Sequence, residues 1–437
     1  MPAFIKNKNL GQVSIYLAFF IAVFFIGLHQ LKNVNKLAAD DLILRINGSA
    51  LQHNQKEIYF YKWQKGDAEK YFYYSQRPTQ LINGITATPL LLWTHSALIS
   101  LSYCDIKLVW LVIELLFLFA SVLLLLQSTA KFEKKIVILF GFILFFACSP
   151  NWFVHIESGQ VYIIFAFTFS LYYWLDKKDF IHKKYYQSIL ISLTIFFRPI
   201  LIISVLYFLF KRDFEIIKKG IVSFLIIGTL TLFLYPISNW VSYQKAMQEY
   251  SKEVVDKISV PNNIIPNQVP DKPIECLNNP TQRMYNAGAL YTVQKYLHNL
   301  KIDVSNVFVF LVCYFIGILL LLLTLKNNWK KLNIKQHFVL LFLFYLLFEL
   351  CTPTVRNPYN LIQWLAPALL ILSSWRLHFS ASIAMLLGLL LNQHVFFEFK
   401  YSREIGEILM IISAWLFILC KPKSILLNKF IFFPKSN

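Results

Sequence analysis

Residues 183–219 read KKYYQSILISLTIFFRPILIISVLYFLFKRDFEIIKK. An apolar run over 186–210 lies between two basic clusters, Lys183-Lys184 on one side and Lys211-Arg212 with Lys218-Lys219 on the other. Lys and Arg collect in the cytoplasmic loops of membrane proteins. A single crossing would leave one of these clusters outside. Arg198-Pro199 divides the run near its middle, and the residue before a proline is pushed away from helix. The stretch therefore reads as a hairpin of two short helices that returns to the side it left, with Arg198 near its tip. Each half is too short for a hydrocarbon core of about 30 Å, so both are expected to tilt or to be shielded by other helices.

The rest of the chain extends this pattern. Its 437 residues are 57% hydrophobic, 17% aromatic and only 15% charged, against about 25% charged in ordinary soluble domains. Disorder, a collagen repeat and a disulfide scaffold are excluded. The apolar residues come in blocks near the length of a membrane span. Spans are expected over 12–30, 106–128, 136–152, 160–175, the two halves of 186–210, 219–238, 305–325, 337–351, 360–375, 379–397 and 405–420. The reading is an all-α polytopic membrane protein with about 11–12 transmembrane helices, a single domain over 1–437.

The net charge of +19 does not indicate nucleic acid, because the basic residues sit in short loops between apolar blocks. With every basic cluster on one side, both termini and the basic tail 421–437 lie in the cytoplasm. Lys6 and Lys8 precede the first apolar run without a convincing cleavage site, so it reads as an uncleaved span. Two long polar segments, 31–104 and 240–303, then fall on the outer face of a cell inner membrane. Short inner loops and long outer segments place any chemistry outside. No Walker A loop or GxGxxG cradle occurs, which argues against a nucleotide-using enzyme. The six cysteines show no metal-ligand spacing. A disulfide on the outer side would join Cys276 to Cys104 or to Cys351. Neither a metal nor a cofactor is expected.

Polar residues cluster at the outer ends of the spans. In the first outer segment Asp41 and Arg45 stand four apart, on the shoulder of a helical stripe of Leu37, Leu44 and Leu51. They form either an ion pair on a solvated face or a site held at the headgroups by a membrane-surface helix. Tyr59 to Trp63 and Tyr71 to Tyr74 supply aromatics suited to interfacial anchoring or to a carbohydrate platform. Thr86-Ala87-Thr88-Pro89 leads into a surface or re-entrant helix. Asn47-Gly48-Ser49 is formally a glycosylation sequon. His155, Glu157 and Gln160 lie at the mouth of two spans, as a satisfied turn or as a site. Arg356, Asn360 and Gln363 follow Glu349. Glu349 either neutralises Arg356 or leaves it to hold a phosphate through its planar fork of donors. Arg198 either snorkels to headgroups or does the same.

These residues together resemble the GT-C superfamily, specifically glycosyltransferase family 87, which includes polyprenol-phosphate-mannose-dependent mannosyltransferases. The resemblance rests on Ser158-Gly159-Gln160-Val161 opening a span, a basic loop, a hairpin interrupted at Arg198-Pro199, and Lys211-Arg212. The family usually has Asn where Tyr162 stands and often Lys in place of Arg198. The first outer segment adds Asp41-Leu42, Arg45 and Gly48, then an aromatic-Lys62-Trp63 and Thr86-Ala87-Thr88-Pro89. The resemblance implies a GT-C-type bundle with its essential acid at Asp41, and Asp40 as the lesser neighbour.

The activity implied is transfer of a hexose, mannose first, from a polyprenyl-phosphate sugar to a hydroxyl of a glycan or glycolipid acceptor, with inversion. Asp41 would be the general base. Arg356, Arg198 or Arg45 would stabilise the departing phosphate, and Glu157 and Gln160 would orient sugar hydroxyls, with Asn360, Gln363 and His155 as lesser candidates. The alternative class is a transporter or flippase of lipid-linked sugars. That class usually carries repeated halves and broken helices meeting at the membrane midplane. Repeats are not visible in the sequence, and the polar residues gather at one face rather than at the midplane.

Overall fold

The computed structural model describes residues 2–72, 81–178, 181–250, 274–276, 312, 314–319, 322, 329–351, 357–393 and 402–419. Among them every regular element is helical. Four helices are long and apolar enough to cross a membrane: α1 (Pro2–Leu31, apolar from Gly11), α4 (Tyr103–Gln127), α10 (Phe214–Leu234) and α12 (Ile334–Cys351). A further candidate crossing is bent. Helix α5 (Phe132–Phe142) continues through a π turn at Ile143–Ala147, and α6 (Pro150–Ser158) follows at 54°. The other described helices are α2 (Asp40–His53), α3 (Pro89–Thr94), α7 (Tyr162–Lys177), α8 (Lys183–Phe197), α9 (Ser204–Lys211), α11 (Ile237–Tyr250), α13 (Leu365–Leu372), α14 (Phe379–Asn392) and α15 (Ser402–Leu419). Most of the expected segments 240–303 and 305–325, and the tail 421–437, lie outside the described residues.

The hairpin that the charges require is present. Ser188 and Ser192 of α8 donate from Oγ to the carbonyls of Ile216 and Gly220 of α10, each at 3.1 Å. Phe196 stacks on Phe224 with ring centroids 4.5 Å apart. The sequence offset is the same at each contact, so α8 and α10 run parallel. The chain between them has to return, and it does so through a 3-10 turn at Pro199–Ile203 and α9. Arg198 is extended, at φ −144° and ψ 92°, and marks the turning point. Lys184 sits 3.0 Å from Asp213 and 2.7 Å from Glu215, which brings the starts of α8 and α10 to one end of the bundle.

The two ends of the bundle differ in charge. At one end Lys134 faces Lys131, Lys177 and Arg376, and Lys335 faces Lys134 and Lys177. These residues begin or follow α5, α7, α12 and α13. At the other end lie the start of α7, the tip at Arg198, the end of α12 and the whole of α2. A disulfide between Cys104 and Cys276 ties the start of α4 to the second polar segment at this same end. It selects Cys104 over Cys351 as the partner of Cys276.

The segment between α1 and α4 forms a layer over that end. The stripe through Leu37, Leu44 and Leu51 suggests a helix resting on the membrane. Instead α2 is buried almost all round, with Leu42, Ile43, Leu44, Ile46, Ala50 and Leu51 in the core. Leu37 precedes the helix, because Ala39 adopts the left-handed conformation at φ 51° and starts α2 only at Asp40. A Cβ at Gly48 would stand 2.9 Å from Leu92, so the glycine allows α3 to pack closely on α2. Asn47 is also buried and donates from Nδ2 to the Phe72 carbonyl at 2.6 Å. The sequon at Asn47 is therefore inaccessible to glycosylation. Thr88 caps α3 through Leu91 N at 3.3 Å and donates to the Phe196 carbonyl at 2.9 Å, joining the layer to the end of α8.

Candidate active site

The site is built where α2 meets the junction of α6 and α7. Serine at position 149 caps α6, accepting from Trp152 N at 3.1 Å, and Pro150 occupies its first turn, a position that suits proline. Residues 153–158 are thus helix, where the sequence suggests a turn between two spans. Gly159 ends α6 with φ 63°, a left-handed conformation that favours glycine. A Cβ there would also lie 2.6 Å from Leu42 Cβ. That absence of a side chain lets the Gly159 carbonyl accept from Nη2 of Arg45 and lets Gln160 donate from Nε2 to Oδ2 of Asp41.

Asp41 stands in the first turn of α2, where a carboxylate is favoured by the helix dipole. It is half-buried, whereas Asp40 is buried. Burial pushes the Asp41 carboxyl up to about 6, while the Arg45 charge pulls it down. The Asp40 carboxyl is pushed up to about 8, first by burial and then by the adjacent Asp41 charge. Burial thus raises both carboxyls, and the adjacent Asp41 charge raises Asp40 the further of the two.

Tyrosines surround the Asp41 carboxylate. Tyr250, at the end of α11, faces Asp41 and Tyr162. Tyr359 lies beside Gln160 and Asp41, with its ring centroid 5.5 Å from that of Tyr162. The Tyr162 hydroxyl accepts from Asn360 Nδ2 at 3.1 Å. Tyr243, about two turns back along α11, packs on Tyr59 and faces Arg198.

Arg198 reaches the same place from the hairpin tip. Its guanidinium carbon lies 4.5 Å from the Tyr162 ring centroid. Its Nη2 is paired with Glu349 Oε1. Gln363 donates to the other oxygen of Glu349 and accepts from Tyr345 OH at 2.5 Å. Glu349, which the sequence offers to Arg356, is thus held against Arg198. Arg356 itself lies outside the described residues.

Other candidates stand behind this surface. Arg45 is buried, with its guanidinium carbon 5.7 Å from the Trp110 ring. Glu157 gives its backbone carbonyl to Ala39 N at 2.7 Å and its carboxylate to Ala38 N at 3.2 Å, which fixes the entry to α2. His155 is fully buried and stacks on Trp152. Its Nε2 accepts from Ile163 N at 3.2 Å and its Nδ1 lies 3.4 Å from Glu114. The structure therefore brings Asp41, Gln160, Asn360 and Arg198 to one cluster and sets Arg45, Glu157, His155 and Gln363 in its supports. Among the described residues, the one group with metal-ligand proximity is Glu275 beside Cys104 and Cys276, whose sulfurs are already bonded to each other.

Residues 86–272 match the model of glycosyltransferase family 87. The chain is a glycosyltransferase. The matched stretch contains Gln160, Tyr162, Arg198 and the hairpin, and begins after Asp41. No curated protein and no solved structure matches this glycosyltransferase. The tyrosines of α11 were not legible as site residues, because the polar face of a short helix carries no mark of what it covers. Tyr162 was visible as a departure from the family's Asn, and it is this residue that stacks with Arg198.

Proposed function

We propose that this glycosyltransferase moves a hexose, mannose first, from a polyprenyl-phosphate carrier to a hydroxyl of a glycan or glycolipid, on the outer face of a cell inner membrane. The observation that carries the reading is the Asp41 carboxylate, held by Gln160 in a half-open site walled by Tyr162, Tyr250 and Tyr359. Tyrosine rings offer flat apolar faces with a polar tip, which suits a sugar ring in the acceptor or donor position.

In the proposed reaction Asp41 takes the proton of the acceptor hydroxyl. The freed oxygen forms a bond to the anomeric carbon from the side opposite the phosphate. The bond between that carbon and the phosphate oxygen breaks, and polyprenyl phosphate leaves with the electron pair. One base and one displacement invert the configuration. A general base contributes about 10²–10⁴-fold to such a step. Arg198 keeps donors beyond those used on Glu349 and is the described cation placed to meet the phosphate. Arg45 acts from beneath, holding the Asp41 charge. Arg356 stays with Arg198 as a candidate for the phosphate. No step needs a nucleotide, a metal or a cofactor.

Two features support the orientation. The Cys104–Cys276 bond lies at the Asp41 end, and disulfides persist in oxidising compartments. Lysines gather at the opposite end, as they do on the cytoplasmic side. The test is transfer by purified Asp41→Asn with polyprenyl-phosphate mannose and a glycan acceptor. We expect a fold as stable as the parent and a rate at least about 100-fold lower. A variant with full activity would remove Asp41 from the reaction.

A further inference from the structure

We propose that the basic end of the bundle holds a phosphate-bearing anion, at a side-chain cluster formed by Lys134, Lys177, Lys335, Ser373, Ser374 and His378. The cluster lies at the far end from Asp41 and is independent of the reaction proposed above. The shared chemistry is a phosphate group, on an anionic lipid headgroup or free in solution.

Lys335 opens α12 and turns into the bundle. Its ammonium lies 3.2 Å from Ser374 Oγ and 3.4 Å from Ser373 Oγ. Both serines are buried and already donate to the Leu370 carbonyl, at 2.8 and 2.9 Å. Their hydroxyl oxygens are then left to accept from Lys335, and among the described residues no carboxylate forms an ion pair with it. Lys335 instead faces Lys134 and Lys177, and Lys134 faces Lys131 and Arg376 as well. Glu133 sits 2.7 Å from Arg376 at the exposed rim of this cluster.

His378 supplies a second, independent sign of a ligand. It is 4% exposed, its Nδ1 is buried without a hydrogen-bond partner, and it faces Lys335 and Lys134. A buried polar atom without a partner is costly. Lysines on a membrane surface normally extend their ammonium groups away to water. Here Lys335 turns instead to two hydroxyls, with Lys134 and Lys177 as its charged neighbours, an arrangement that like-charge repulsion opposes unless an anion neutralises it. Basic pockets between transmembrane helices are suited to phosphate headgroups.

The test uses the full chain in nanodiscs of phosphatidylcholine alone or with phosphatidylglycerol, and in detergent with or without inorganic phosphate. Native mass spectrometry reads the retained lipid and thermal melting reads the stabilisation. The parent is expected to retain phosphatidylglycerol. Lys335→Gln and, separately, Lys134→Gln should each retain it at least about tenfold less, or about 1.4 kcal/mol. Lys335→Gln should also melt higher than the parent in pure phosphatidylcholine, because a repelled charge is gone, and should lose that advantage in phosphatidylglycerol. Stabilisation of the parent by phosphate as well as by the lipid identifies the phosphate group itself as the ligand. Stabilisation by the lipid alone identifies a headgroup. Lipid retention and melting unaltered by both substitutions would overturn the proposal. Should Lys335→Gln fail to fold, Lys134→Gln, on the more open side, gives the same decision.

Discussion

Gln160 donates its side-chain amide to Asp41 across 119 residues of sequence. The bond joins the first residue beyond a helix-ending glycine to the first turn of a helix in another layer. A hydrogen bond to a charged group contributes about 1.5–3 kcal/mol. Gln160→Leu is therefore expected to lower kcat/KM about 10- to 100-fold, since 1.4 kcal/mol is a factor of ten. Loss of the donor also makes the ionised Asp41 less favourable, so the acid limb of the pH–rate profile should move to higher pH. A fall in rate with an unmoved limb would mean that Gln160 acts only through packing.

The paired aspartates give a sharper expectation. The proposed base must be ionised, so kcat/KM should rise with pH through about 6, the position to which burial brings Asp41. Asp40 holds its proton to about 8, and Asp40→Asn should keep activity within a few-fold of the parent. The stability consequence has a definite sign. A carboxyl whose folded value is raised binds more protons folded than unfolded, so stability falls as pH rises between its unfolded value near 4 and about 8. Asp40→Asn should flatten that slope and melt higher than the parent at pH 8. Melting curves of both proteins at pH 5.5 and 8 decide it.

Much of this arrangement was legible in the residues, and for identifiable reasons. The hairpin followed from charge on both sides of one apolar run, which only one topology satisfies. The clustering of Gln160, Arg198 and Asn360 followed from their places at the outer ends of their spans. The burial of α2 was not legible, because its single stripe of leucines says nothing about the second surface that α3 and residues 58–72 lay over it. The pairing of Arg198 with Glu349 was hidden by a nearer cation, Arg356. The sequon at Asn47 misled because a three-residue pattern carries no information about burial.

The Arg198–Glu349 pair separates stability from activity. Glu349 is 1% exposed and Arg198 19%. Removing one partner of a buried pair costs about 3–5 kcal/mol, whereas replacing both with apolar residues is often neutral. Glu349→Ala should therefore melt well below the parent. The double variant Arg198→Met with Glu349→Leu should recover most of that loss and still transfer no sugar, because the cation proposed for the phosphate is gone. Recovery of both properties together would make the pair purely structural.

The disulfide supplies the test of orientation. Cys104 and Cys276 are 172 residues apart and join at the end that carries Asp41. In the proposed topology that end faces an oxidising space, while Cys148 lies in the bent α5–α6 unit. A membrane-impermeant maleimide added to intact cells should leave Cys104 and Cys276 unlabelled. After treatment with an impermeant reductant it should label both. Labelling of either cysteine only after the membrane is opened would place Asp41 on the cytoplasmic side, where a base facing an outer-leaflet sugar carrier has no substrate. Reduction should also cost stability, because the bond closes a long loop and such closures contribute about 2–4 kcal/mol. Cys104→Ser is thus expected to melt below the parent under oxidising conditions and to match the reduced parent.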